Sequence, residues 1–133
     1  MANPNIVNVT SIYGNSAYVI PSNTSVSVAW TYNGSTSLTG LTPSANTVNR
    51  VTSIVVANVT SSAATCTVAI SNNATYASGT PYYIAYQISV PPNASVIVTD
   101  KTTSFYVTEN QSVGVISGTS SALNYTATFE AIT

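Results

Sequence analysis

Ser25-Val26-Ser27-Val28-Ala29-Trp30-Thr31-Tyr32 alternates small or polar residues with Val26, Val28, Trp30 and Tyr32. Successive side chains on a strand point to opposite faces, so this period predicts a half-buried β-strand. The same period runs through Tyr82, Ile84, Tyr86, Ile88 and Val90, and again through Leu123, Tyr125, Ala127, Phe129 and Ala131. On this reading Tyr82, Tyr86 and Tyr125 belong to the core. Residues 49–60 carry β-branched side chains on both faces, which predicts a central strand covered on both sides. Cys66, Val68 and Ile70 then line one face of the next strand.

Shorter strands are expected at 6–13, 18–20, 96–99, 104–108 and 113–116. Turn-forming residues punctuate the chain at Gly14-Asn15, Pro21-Ser22-Asn23, Asn33-Gly34, Pro91-Pro92-Asn93, Asp100-Lys101, Glu109-Asn110 and Gly118. Strands recurring every roughly 8 to 12 residues indicate a sandwich or barrel. No window has helical periodicity with caps, so any helix is one short turn. The chain therefore reads as one all-β domain over residues 1–133, an antiparallel β-sandwich (Ig-like or jelly-roll-like) of about 8 to 10 strands. Residues 1–5 read as an extended N-terminal arm. Residues 33–47 lack strand patterning and carry Gly34, Gly40 and Pro43, so they read as a long loop, either a solvated crossover or a functional one. Residues 71–81 form a second polar loop.

Of 133 residues, 2 are Lys or Arg and 3 are Asp or Glu, far below the roughly 25 per cent charge of an average soluble domain. Arg50 and Lys101 could neutralise two phosphates, whereas a DNA-binding surface contacts about 6 to 10. Nucleic acid is therefore not an expected partner, and an anionic membrane is excluded on the same ground. At 44% hydrophobic the chain is unlike a disordered one, which combines low hydrophobicity with high net charge. No signal-like or membrane-spanning apolar run is present, so synthesis as a soluble cytoplasmic product is expected.

The chain has no His, which removes the commonest general base and the His-dependent nucleophile and metal constellations together. Asp100, Glu109 and Glu130 could in principle supply a glycosidase pair, but their turn or polar-face contexts read as solvated carboxylates. Cys66 alternates with apolar residues and reads as inert core packing. No cofactor, metal site or catalytic residue is expected, and the chain does not read as an enzyme. Asn-x-Ser/Thr triplets recur at Asn8, Asn23, Asn58, Asn73, Asn93 and Asn124, as chance allows in so Asn-, Ser- and Thr-rich a chain.

Nine tyrosines supply large area with a polar tip, which suits contact surfaces. Tyr83 and Tyr106 face away from their apolar neighbours, and Tyr13 and Tyr76 lie near turns, so these four are the candidate interface residues. Exposed strand edges invite pairing with other chains, and proteins commonly blunt them with charges or Pro. This chain has almost no charges for that purpose, so its edges are expected to be closed by wrapping, by a neighbouring subunit or by a larger surface.

The blocks Asn5-Ile6-Val7-Asn8-Val9-Thr10-Ser11-Ile12-Tyr13-Gly14, Val51-Thr52-Ser53-Ile54-Val55-Val56-Ala57-Asn58-Val59 and Ile88-Ser89-Val90-Pro91-Pro92-Asn93-Ala94-Ser95-Val96-Ile97-Val98 resemble small virion structural proteins of tailed phages, particularly those infecting marine cyanobacteria. Thr103-Ser104-Phe105-Tyr106-Val107-Thr108-Glu109-Asn110-Gln111-Ser112-Val113 resembles the strand-turn-strand that follows in them. The resemblance implies a non-enzymatic particle component, foremost a capsid decoration or cement protein on the virion exterior. Its implied partners are the major capsid protein and further copies of itself, in a homo-oligomer or bound to the lattice. No functional residue carries over. The alternatives are a tail or fibre component or carbohydrate-binding adhesin, then a carboxylate glycosidase, and last a pilus or surface-layer subunit.

Overall fold

The computed structural model describes Pro4 and residues 7–133; the expected arm at 1–5 lies outside the described residues apart from Pro4, and of the strand expected at 6–13 only Ile12 and Tyr13, among the described residues, are in strand conformation, residues 7–11 being turn and irregular chain. Ten strands form: β1 (Ile12–Val19), β2 (Ala29–Tyr32), β3 (Thr36–Thr39), β4 (Val48–Asn58), β5 (Ala64–Ser71), β6 (Pro81–Val90), β7 (Ser95–Thr99), β8 (Phe105–Val107), β9 (Ser112–Ser117) and β10 (Leu123–Ile132). Short 3₁₀ turns occupy Tyr76–Ser78 and Lys101–Thr103. A seven-stranded sheet runs β3-β2-β1-β10-β4-β7, with β8 also on β4, and faces a three-stranded sheet β6-β5-β9. Every strand pair is antiparallel, so the expected sandwich is what the chain forms.

Period-2 patterning holds best in the central strands. β10 sits between β1 and β4 and buries Leu123, Tyr125, Ala127 and Phe129 against the small sheet. β4 buries Val51, Ile54 and Val56 inward, and its other face is half-covered. From the small sheet come Cys66, Val68, Val113 and Val115. Side-chain hydrogen bonds tie the layers: Trp30 Nε1 donates to Val113 O at 3.2 Å, the Tyr125 hydroxyl donates to Ile116 O at 2.7 Å, and Asn58 Nδ2 donates to Val90 O at 3.0 Å. Burial, with a smaller contribution from Cys66, pushes the Tyr125 phenol far above its ordinary range.

Four sequence expectations are corrected. The strand read over 25–32 is confined to Ala29–Tyr32: Ser27 makes only an isolated bridge to Val115, and Val26 is exposed. Gly14-Asn15 is no turn: β1 pairs with β10 without interruption from Ile12 opposite Ile132 to Val19 opposite Tyr125. Residues 33–47 are not all loop. Asn33 and Gly34 both take positive φ (51° and 85°) in the three-residue loop 33–35 that closes a β2–β3 hairpin, with Tyr32 opposite Thr36, a loop length common between antiparallel strands. Tyr82 and Tyr86 are not core: both lie exposed on the edge strand β6. Two register shifts in the β5–β6 pairing each insert one extra residue into β6, so that Ala85, rather than Ile84 or Tyr86, faces the core. Gln87 takes φ 49° at this irregularity, and its N–H is held by Thr67 Oγ1 at 3.0 Å.

The Asn-x-Ser/Thr triplets have a local cause. Oδ1 of Asn23, Asn58 and Asn73 accepts the backbone N–H two residues on, from Ser25, Thr60 and Thr75, at 2.9, 2.9 and 2.8 Å. These are Asx turns, in which a side chain replaces a backbone acceptor. Asn58 is also buried, and its Nδ2 donates to Ser62 O and Val90 O, pinning the β4–β5 connection and the end of β6.

Candidate functional site

The sheet edges decide what this surface offers. The β9 edge is closed by the chain itself: Ser27 and Val115 exchange backbone hydrogen bonds at 2.8 and 3.0 Å, and Val113 N donates to Gly40 O at 2.6 Å. In the large sheet, β3 is 4 residues long, while β7 and β8, of 5 and 3 residues, share the far side of β4. β6 is different. It spans 10 residues, pairs on one side with β5, and carries no charged side chain. Tyr82 (58%), Ile84 (36%), Tyr86 (60%) and Ile88 (40%) remain open to solvent along it.

Tyr76 and Tyr83, two of the four candidate residues, come together beside this edge. Ala69 pairs with Gly114 on one side and Tyr83 on the other, making one row across the outer face of the small sheet. The Tyr76 ring covers Gly114, where a Cβ would come within 2.7 Å of both Tyr76 Cε2 and Val26 Cγ2. Burial, then the neighbouring Tyr83, pushes the Tyr76 phenol above its ordinary range. Tyr83 in turn meets Tyr86 edge-on with ring centroids 4.7 Å apart. Tyr76 is thus half structural, and the aromatic run continues from it through Tyr83 onto β6.

Tyr13 and Tyr106 lie elsewhere. Tyr106 is exposed on the outer face of the large sheet, opposite Arg50, which in turn lies opposite Glu130. Tyr13 is on the inner face, in register with Ala131 and then Asn49. Seven strands facing three leave part of that inner face without a cover, and the gap is a cleft of 410 Å³. It is lined by Leu38 of β3, Tyr32 of β2, Asn33 of the hairpin between them, Tyr13 and Asn15 of β1, the buried Phe129 of β10 and the buried Asn49 of β4. Pro43, Ser44 and Thr47 complete the rim, so the 33–47 segment does contribute to a recess.

The carboxylates are engaged individually. Asp100 accepts from the Thr102 N–H and hydroxyl at 2.9 and 2.6 Å, which holds its carboxyl below the usual range. Glu130 lies 3.8 Å from Arg50 Nη1, and Glu109 accepts from Asn46 N at 3.3 Å. Cys66 is buried, and burial pushes its thiol up, away from the reactive thiolate. Among the described residues no group of three metal-ligating side chains forms, and no helix is long and apolar enough to cross a membrane. Comparison of the chain with protein-family models, curated proteins and solved structures finds no match.

Sequence reasoning found Tyr83 but placed Tyr82 and Tyr86 in the core. The signal that could have corrected this was Gln87, a polar residue interrupting an apolar run, next to a strand boundary at Pro81.

Proposed function

We propose that the protein is a non-enzymatic virion structural component, a decoration or cement protein that attaches to the outer lattice of the major capsid protein through β6. One observation carries this reading: a ten-residue apolar strand edge left open in a fold that closes its opposite edge with its own chain. Unpaired N–H and C=O groups in a row are a template for strand addition, and alternate side chains then supply specificity. Exposed Tyr82 and Tyr86 provide the aromatic anchors that dominate binding at such contacts.

The scarcity of charge supports the same reading. With 2 basic and 3 acidic residues, copies packed at high density on a shell repel one another weakly. Attachment would add buried area between shell subunits, about 1,600 Å² being an ordinary size for a stable contact.

The test is co-sedimentation of the purified protein with shells assembled from the capsid protein of the same particle. Saturable binding, lost when β6 carries a lysine, is the expected outcome. A protein that stays in the supernatant at micromolar shell-subunit concentration overturns the proposal.

A further inference from the structure

The cleft on the inner face of the large sheet stands apart from the β6 edge and from the proposal made for it. Its lining is Tyr13, Gly14, Asn15, Tyr32, Asn33 and Leu38 on β1, β2, β3 and the β2–β3 hairpin, with further residues from β4, β10 and the 43–47 turn; none of them is charged. Its volume, 410 Å³, lies within the range of small-ligand sites.

Three features narrow the occupant. First, Tyr13 occupies an inward-facing position of β1, where Ala17 is fully buried four residues later, yet Tyr13 is 66% exposed. Its ring is therefore open to contact beside the cleft. The Tyr32 ring is braced against Phe129, with centroids 6.1 Å apart and planes tilted 57°, which fixes a second aromatic surface in the lining. Second, Asn49 lines the cleft, with its Nδ2 donating to Leu41 O at 2.8 Å. Third, Asn15, Asn33, Ser44 and Thr47 add neutral donors and acceptors around the rim.

Asn15 Nδ2 already donates to Tyr13 O, and the Ser44 and Thr47 hydroxyls bond each other and Thr133, so the rim keeps spare donor and acceptor capacity rather than bare groups; an apolar ligand would not use it, and an ionic ligand would meet no opposite charge. A neutral pyranose satisfies both conditions, because its C–H faces stack on aromatic rings while its equatorial hydroxyls both donate and accept. We infer that the cleft binds a neutral saccharide, stacked on Tyr13 and hydrogen-bonded by the Asn15, Asn33 and Asn49 amides.

The test is binding of the whole protein to an array of neutral hexose and N-acetylhexosamine oligosaccharides, with sialylated and sulfated counterparts alongside. Hits are then titrated by following backbone amide shifts. The expected result is binding of at least one neutral oligosaccharide with shifts confined to the cleft residues. Tyr13→Ala, at an exposed position, weakens it about tenfold or more, in line with loss of one aromatic contact and its area. Asn15→Ala weakens it as well. Acidic counterparts gain nothing over neutral ones. Absence of any neutral glycan above background overturns the inference, as does binding that Tyr13→Ala and Asn15→Ala leave unchanged. Neither outcome depends on β6, so shell attachment and sugar binding succeed or fail separately.

Discussion

Tyr86→Lys separates folding from attachment. Tyr86 is 60% exposed, so of roughly 200 Å² of tyrosine surface about 80 Å² is buried by folding and about 120 Å² is free for a partner. At about 25 cal/mol per Å² the folding loss is at most about 2 kcal/mol, and the lysine stem recovers about half of it. A net loss of about 1 kcal/mol lowers Tm by about 3–6 °C for a domain of this size. The partner-facing surface is worth about 3 kcal/mol by the same conversion, or a loss of more than about 100-fold in affinity, before the cost of burying an ammonium. Circular dichroism melts give the first quantity, and sedimentation with assembled shells at graded concentrations gives the second. Tyr86→Phe keeps the ring against Tyr83 and is expected to bind within a factor of about three. A Tyr86→Lys protein that melts normally and still pellets with wild-type affinity refutes the assignment of β6 as the attachment edge.

Tyr125→Phe removes the hydroxyl that donates to Ile116 O and should cost about 1 kcal/mol in urea titrations. Tyr125, Tyr76 and Cys66 all have raised pKa values against ordinary values of 10.0, 10.0 and 9.0. The unfolded chain therefore loses protons first, and stability present below pH about 9 should fall as pH climbs through and beyond these values, with a shallower fall in Tyr125→Phe. Gly114→Ala drives a methyl into Tyr76 and Val26; the expected cost is about 1–3 kcal/mol, with increased solvent access at Tyr76 read by its fluorescence or NMR shift. Asn124→Val should raise stability by about 1 kcal/mol in the same urea assay, because Asn124 Oδ1 is buried without a partner and the strand position suits a β-branched residue.

Alternation was readable where a strand has neighbours on both sides. β4 and β10 lie between other strands, and one face of each meets the small sheet; β10 buries Leu123, Tyr125, Ala127 and Phe129 as its alternation predicts, whereas β4, expected to be covered on both faces, leaves Val55 and Ala57 half-buried on its outer face. It failed in β6 because two extra residues shift the faces and because an edge strand receives cover from one neighbour only. β3 was missed because Thr36-Ser37-Leu38-Thr39 offers a single apolar residue; its pairing comes from the Asn33-Gly34 turn, which was recognised as a turn. Gly14 misled in the opposite direction. It has open space around it and ordinary strand pairing, so nothing at that position depends on glycine. The cleft was not legible at all, since it arises from the unequal width of two facing sheets, a property of the assembled fold. Of its residues, only Tyr13 and the 33–47 segment had drawn attention.

The self-sealed flank at Ser27, Gly40 and β9 limits what β6 can build. Head-to-tail growth of a filament through the small sheet needs a donor edge and an acceptor edge on every molecule, and here one of the two is already occupied. Repeated strand addition through the small sheet is therefore blocked after one step, so a nearly neutral polypeptide with one open apolar edge does not grow fibres along this sheet.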